Sequence, residues 1–115
     1  MMLKTGQRWS YRARSQDEAS TVLIVAVDQI NGHIVVNVSL HNLNAGPDAE
    51  PVSALAPVLM ANVAGSLVAL LDEECDVTSL EPLVADWRRQ AEQGTAGFFT
   101  VGLERVAEII APSSV

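Results

Sequence analysis

The sequence predicts an α+β domain: an antiparallel sheet of four to five strands, two main helices packed on one face, and a short C-terminal helix. Three observations predict it. Asn31-Gly32 separates two β-rich runs, Thr21 to Asp28 and Ile34 to Leu43, the signature of a hairpin closed by a type I′ turn. Apolar residues then recur at helical spacing in two later stretches. The 115 residues are 49% hydrophobic and 18% charged, which suits one domain with one core and excludes a disordered chain.

Each element has its own local warrant. Gln7 to Arg14 alternates, with Trp9, Tyr11 and Ala13 on one side and Arg8, Ser10, Arg12 and Arg14 on the other, as a half-buried strand does. Centring a two-residue turn on Asn31-Gly32 pairs Ile30 with His33, Val27 with Val36, Val25 with Val38 and Leu23 with Leu40. That register gathers aliphatic side chains on one face, and a slip of one residue would reverse them. Val22, Ile24 and Val35 then fall on the opposite, mixed face. Asn42 to Pro51 reads as a loop, and Val52 to Ala56 as a short strand stopped by Pro57.

Met60, Val63, Ala64, Leu67, Val68 and Leu71 share one helical stripe. Thr78-Ser79-Leu80-Glu81 has the form of a capping box. It opens a second helix whose stripe is Leu83, Val84, Trp87 and Ala91, closed by Gly94. Gly97 to Val101 reads as a last strand, followed by a short helix carrying Leu103, Val106, Ala107 and Ile110 and ended by Pro112. The expected core is Trp9, Tyr11, Leu23, Val25, Val27, Val36, Val38, Leu40, Val63, Leu67, Leu71, Leu83, Trp87 and Phe99.

Charge narrows the function classes. The net charge is −7, and its distribution is uneven. Lys4, Arg8, Arg12 and Arg14 precede a stretch from Ser15 to Trp87 that has no lysine or arginine but many acids. Such a chain gains nothing from phosphate backbones or anionic lipid, so neither nucleic acid nor membrane is the expected partner. A basic protein is the natural one. The lone Cys75 excludes an internal disulfide, and no apolar run follows the basic N-terminus to make a signal peptide, so a cytoplasmic protein is expected.

No catalytic signature is present, and no catalytic residue, metal ligand or cofactor is assigned. His33 and His41 lie eight residues apart on one strand, about 26 Å at roughly 3.3 Å per residue, too far to share one ion. Asp72-Glu73-Glu74-Cys75-Asp76 gathers four carboxylates around the only thiol. It lacks the glycine and alternating oxygens of a calcium loop, and its charges oppose a thiolate. Gly94-Thr95-Ala96-Gly97 lacks the lysine and hydroxyl of a phosphate loop. Three groups remain as candidate ligand or partner contacts: Arg8, Arg12 and Arg14 on the first strand, Asp72, Glu73 and Glu74, and Arg88 and Arg89 beside Trp87. Arginine forks match carboxylates and phosphates, and Trp with Arg anchors many interfaces. The simpler reading of each group is structural: solvated or ion-paired arginines, a solvated acidic helix end, and a core tryptophan.

Gly6-Gln7-Arg8-Trp9-Ser10-Tyr11-Arg12, Asp86-Trp87-Arg88-Arg89 and Gly94-Thr95-Ala96-Gly97-Phe98-Phe99-Thr100-Val101 resemble the motifs of a family of small uncharacterised bacterial proteins. These open with a glycine and a W-x-Y strand followed by an arginine. They close with a tryptophan-arginine helix and a G-x-x-G-[VF]-F-T strand. The resemblance spans nearly the whole chain and implies no activity. In that family a histidine often precedes the proline matched by Pro57, and a tyrosine stands three residues before the tryptophan matched by Trp87. Here those places hold Leu55 or Ala56, and Val84, which counts further against an enzyme.

The leading expectation is therefore a non-enzymatic protein-binding module, of the immunity or antitoxin kind, that meets a basic partner with its acidic surface. The alternative is a small-anion-binding or enzymatic domain with Arg12 or Arg14 at a pocket between sheet and helices. A homodimer joined through Val22, Ile24 and Val35 is the third reading.

Overall fold

The computed structural model describes residues 3–112. Five antiparallel strands form one sheet: β1 (Arg8–Tyr11), β2 (Thr21–Ile30), β3 (His33–Leu43), β4 (Val52–Leu59) and β5 (Leu67–Asp72), in the spatial order β4-β3-β2-β1-β5. Three helices accompany it: α1 (Met60–Ala64), α2 (Glu81–Glu92) and α3 (Leu103–Ile110). The chain is thus α+β with a five-stranded antiparallel sheet, as its patterning implies.

The hairpin turn forms as expected. Asn31 and Gly32 take φ of 49° and 86°, the two positive values a type I′ turn requires. From Ile30↔His33 to Val27↔Val36 the pairing is the predicted one. Beyond it a bulge intervenes between Ile24 and Ala26, so Val38 faces Ile24 and Leu40 faces Val22. The inserted residue, Val25, exchanges the two faces of β2. Val22 and Ile24 join Val36, Val38 and Leu40 in the larger core, while Leu23 and Val25 turn to the other side. This slip costs no burial because Val22, Leu23, Ile24 and Val25 are all apolar, so either face of that run fits a core. Val22, Ile24 and Val35 are 0% exposed, which removes the surface through which a twin was expected to pair.

Both faces of the sheet consequently carry helices. Val63 of α1 and Leu103, Val106 and Ala107 of α3 seal the larger core. Val84 of α2, with Val77 and Leu80 ahead of it, packs on Leu23, Val25 and Leu55. The helices therefore divide between the faces instead of sharing one.

Several local expectations are corrected. The helical stripe from Met60 to Leu71 breaks after five residues, and Leu67 to Asp72 becomes strand β5 along the free edge of β1. A run of Leu, Val and Ala satisfies either period, and the unpaired edge of β1 decides for the strand. β4 passes through Pro57 and ends at Leu59. The outward side of β4 receives Phe99, whose N–H donates to the Pro57 carbonyl at 2.8 Å and whose carbonyl accepts from Leu59 at 2.9 Å. Pro57 thus sits where the ladder to β3 asks no N–H of it. The segment expected as a last strand makes one parallel bridge, Val58↔Phe99. The expected capping box does not form: α2 starts after Leu80 with no side-chain cap, a turn of 3-10 helix (Thr78–Leu80) leads in, and Thr78 donates both its N–H and its hydroxyl to Asp76 Oδ1, at 2.9 and 2.6 Å. Of the expected core, Val27, Leu71 and Leu83 are exposed (38%, 53% and 57%), and Leu67, Trp87 and Phe99 are half-buried. Val27 lies towards the open tip of the hairpin, Leu71 on the new edge strand, and Leu83 on the outer side of α2.

β1 ends at Tyr11, and the chain folds inward to bury Arg14 (7% exposed). Its guanidinium donates to Asp17 Oδ2 at 2.6 Å, Glu108 Oε2 at 2.7 Å, the Ala111 carbonyl at 2.6 Å and the Asn44 carbonyl at 3.3 Å. Asp17, fully buried, also accepts the Asn44 N–H at 2.8 Å. One cation thereby ties together the β1–β2 connection, the end of β3 and the C-terminal end of α3. Removing one partner of a buried pair strands the other. Arg14→Leu is expected to lose about 3 kcal/mol or more of stability, read as a lower urea midpoint with an unchanged slope.

Candidate functional site

The three arginines of the first strand do not form one stripe. Arg14 is the buried hub, with four of its N–H groups committed out of the five a guanidinium carries. The 510 Å³ groove beside it is lined by Ser15, Gln16, Gly102, Glu104, Arg105 and Glu108, so carboxylates share that wall. Arg12 is exposed, and its backbone N–H donates to the Ser66 carbonyl at 2.8 Å. Arg8 is half-buried on the sheet face that α2 shares, and its Nη1 donates to Thr21 Oγ1 at 3.2 Å.

Arg88 and Arg89 serve the fold. Arg88 clasps Asp28 through two hydrogen bonds of 2.8 and 3.0 Å, joining α2 to the hairpin. Asp28 in turn holds the Arg88 guanidinium above its ordinary pKa. Arg89 pairs with Asp86 one turn earlier on the same helix. Trp87 Nε1 donates to the Gly97 carbonyl at 2.9 Å, fixing the segment that leaves α2.

The acidic residues are different, because they stand at the surface next to apolar side chains. Leu67 to Leu71 forms the outermost strand, and Val68, Leu70 and Leu71 are 64%, 40% and 53% exposed. Pairing with β1 is irregular there. Trp9 faces Leu70, Ser10 faces Ala69 and Tyr11 faces Leu67, so Val68 and Leu71 are the unopposed residues of two bulges. The Ser10 hydroxyl fills part of the gap, accepting the Ala69 N–H at 3.1 Å. β5 runs directly into Asp72, Glu73 and Glu74, all exposed. Leu70, Leu71 and these three acids line a single groove of 460 Å³.

That acidic turn is held in place from within. Asp72 Oδ1 accepts the N–H of Glu73 at 2.8 Å and of Glu74 at 3.4 Å. Gly6, at φ 95°, accepts the Cys75 N–H at 2.8 Å and gives its own N–H to Ile24. A side chain at Gly6 would meet the carbonyls of Cys75 and Glu73 at 3.2 and 3.3 Å. The thiol of Cys75 is half-buried against Leu23 and Val25. Asp76 is kept below the usual carboxylate range, chiefly by the Thr78 hydroxyl. Among the described residues no three His, Cys, Asp or Glu side chains are grouped to hold a metal ion.

The two histidines sit in unlike places. His33 is exposed, its ring 5.5 Å from that of Phe98. His41 is half-buried, and its Nε2 is shut from solvent without a hydrogen-bond partner. Burial first, and then the charge of Arg8, hold its pKa below 6.5. Sequence patterning assigned Val68, Leu70 and Leu71 no surface role. The pair Gly65-Ser66 ahead of a short aliphatic run was the available signal for a turn and an edge strand. Among the described residues no helix is long and apolar enough to cross a membrane. The chain matches no protein-family model, no curated protein and no solved structure.

Two outcomes follow from this geometry. Gly6→Ala is expected to cost about 1–3 kcal/mol for the left-handed backbone and to speed hydrogen exchange at the Cys75 amide. His41 binds its proton more weakly folded than unfolded, so its contribution to stability is complete above 6.5 and is lost as pH falls from there through the folded value. In His41→Gln, the dependence of the unfolding midpoint on pH should flatten just below that value.

Proposed function

We propose that the protein is a non-enzymatic, cytoplasmic binding module, of the kind that neutralises a partner as immunity proteins and antitoxins do. Its partner is a basic protein, received on strand β5 and the acidic turn that follows. The observation that carries this reading is the single groove in which Leu70 and Leu71 stand beside Asp72, Glu73 and Glu74. Apolar side chains at the centre of such a contact supply burial, while flanking carboxylates steer a cation-rich surface and set its orientation. The stretch from Ser15 to Trp87, free of lysine and arginine, adds a long-range field of one sign.

The pocket reading built on Arg12 or Arg14 has less behind it, since Arg14 is spent on the fold and Arg12 projects into solvent. The two bulges of β5 also bear on how a partner docks. They turn Val68 and Leu71 outward and interrupt the row of backbone groups that an added strand would need. The contact is therefore made by side chains.

Affinity capture from native extract tests the proposal, using the wild-type chain and Leu70→Asp in parallel at low and high salt. A basic protein retained by the wild type at low salt, released at high salt and lost by the variant is the expected result. Equal capture by Leu70→Asp, or a partner of acidic isoelectric point, would overturn it.

A further inference from the structure

The sheet face that carries Leu23 and Val25 is only partly occupied by α2. Its other half holds Arg8 of β1, Thr21 of β2 and His41 of β3: Thr21 faces His41 directly, and Arg8, which faces Leu23, reaches diagonally to Thr21, its Nη1 3.2 Å from Oγ1. Directly opposed pairs such as Thr21 and His41 have Cβ atoms about 5 Å apart, and diagonal ones such as Arg8 and Thr21 about 7–8 Å. Every other half-buried or buried arginine among the described residues has a carboxylate partner: Arg14 has Asp17 and Glu108, and Arg88 has Asp28. Among the described residues Arg8 has none within ion-pair distance, although Asp72 faces it across β1 and β5. Oδ1 of Asp72 is engaged elsewhere, accepting the N–H groups of Glu73 and Glu74.

A second, independent observation lies on the same face. Among the described residues two buried side-chain nitrogens lack a partner, Asn37 Nδ2 and His41 Nε2. Both belong to β3 positions that alternate with the core residues Val36, Val38 and Leu40, and so both lie under this face. A half-buried guanidinium without a counter-ion, beside a donor-capable imidazole without an acceptor, is a costly arrangement. An acceptor carrying negative charge relieves both at once.

We infer that Arg8, Thr21 and His41 form an oxyanion subsite that takes a carboxylate or phosphate group on the open half of this face. The guanidinium fork matches two oxygens of such a group, the Thr21 hydroxyl gives a third donor, and the imidazole a fourth. Arg8 is held by one hydrogen bond of 3.2 Å to Thr21, so its head group can swing to admit the ion. The subsite is separate from the β5 groove and does not depend on a protein docking there.

Nuclear magnetic resonance of the two histidine rings tests it, because His33 supplies an internal control on the far end of the same strand. Inorganic phosphate and acetate are titrated separately at constant ionic strength, to concentrations on the order of tens of millimolar, which reach weak binding. The expected result is a saturable shift of the His41 ring signals with at least one ion while His33 stays still. Saturation by acetate alone identifies a carboxylate subsite, and saturation by phosphate a phosphate subsite. Arg8→Gln should weaken the apparent affinity at least tenfold, and Thr21→Val should weaken it with the arginine intact. No saturable change at His41 with either ion, or parallel drift of both rings, overturns the proposal. So does binding that survives both substitutions in folded protein.

Discussion

Four consecutive aliphatic residues in the second strand of the sheet, Val22 to Val25, are all buried, and the rest of the architecture answers to that. An extended chain points successive side chains to opposite faces, so such a run cannot face water on either side. The sheet must be covered twice. α1 and α3 close over Val22 and Ile24, and α2 closes over Leu23 and Val25. To reach α3 from α2 the chain has to pass from one face to the other. It does so round the outer edge of β4, where Phe98 lies against His33 on one side and Phe99 packs into the larger core on the other. That crossing occupies the Pro57–Leu59 end of the outer side of β4 and leaves β5 uncovered.

The buried Arg14 serves the same closure at the other end. Burying an ion pair gains little net stability, because desolvation offsets most of the attraction. Its value here is directional. An aliphatic side chain in that position would satisfy the core but would not choose between neighbouring arrangements of the Asn44 loop and the end of α3. A fork with fixed donor directions does choose, since the Asn44 and Ala111 carbonyls and the Asp17 carboxylate must all lie where its N–H groups point. Tyr11 extends the constraint: its hydroxyl meets Ser20 Oγ at 2.7 Å, and Ser20 gives its proton to the His41 carbonyl at 2.6 Å. Burial holds the phenol above its ordinary pKa.

Much of this was legible in the sequence, for identifiable reasons. Asn31-Gly32 fixed the hairpin because few dipeptides accept two positive φ values. Gly94 ended α2 for the same reason, at φ 76°. Leu103, Val106 and Ala107 marked the inner side of α3, and they are buried there. The Val25 bulge was invisible, since the very feature that permits it, an aliphatic side chain at every position, erases the alternation from which register is read. β5 was hidden by a related ambiguity, as Leu67 to Leu71 fits a helical stripe and a strand equally until a free sheet edge is known. The arginine stripe misled because strand alternation was carried two residues past the point where the backbone turns inward to bury Arg14. The groove at Leu70 to Glu74 combines a segment of misjudged conformation with acids that patterning did single out. The Arg8, Thr21 and His41 grouping depends on pairing across three strands, which no local pattern contains.

The strap formed by Phe98 and Phe99 has a bearing on assembly. Sheets lengthen by adding chains edge to edge, and a molecule with two open edges can pass the pairing on to a third and a fourth neighbour. Here Phe99 hydrogen-bonds to the outer side of β4 through both its N–H and its carbonyl, so the Pro57–Leu59 end of that edge has already been used. With β5 broken by its two bulges and the end of β4 taken by Phe99, neither edge is an intact template for a further strand.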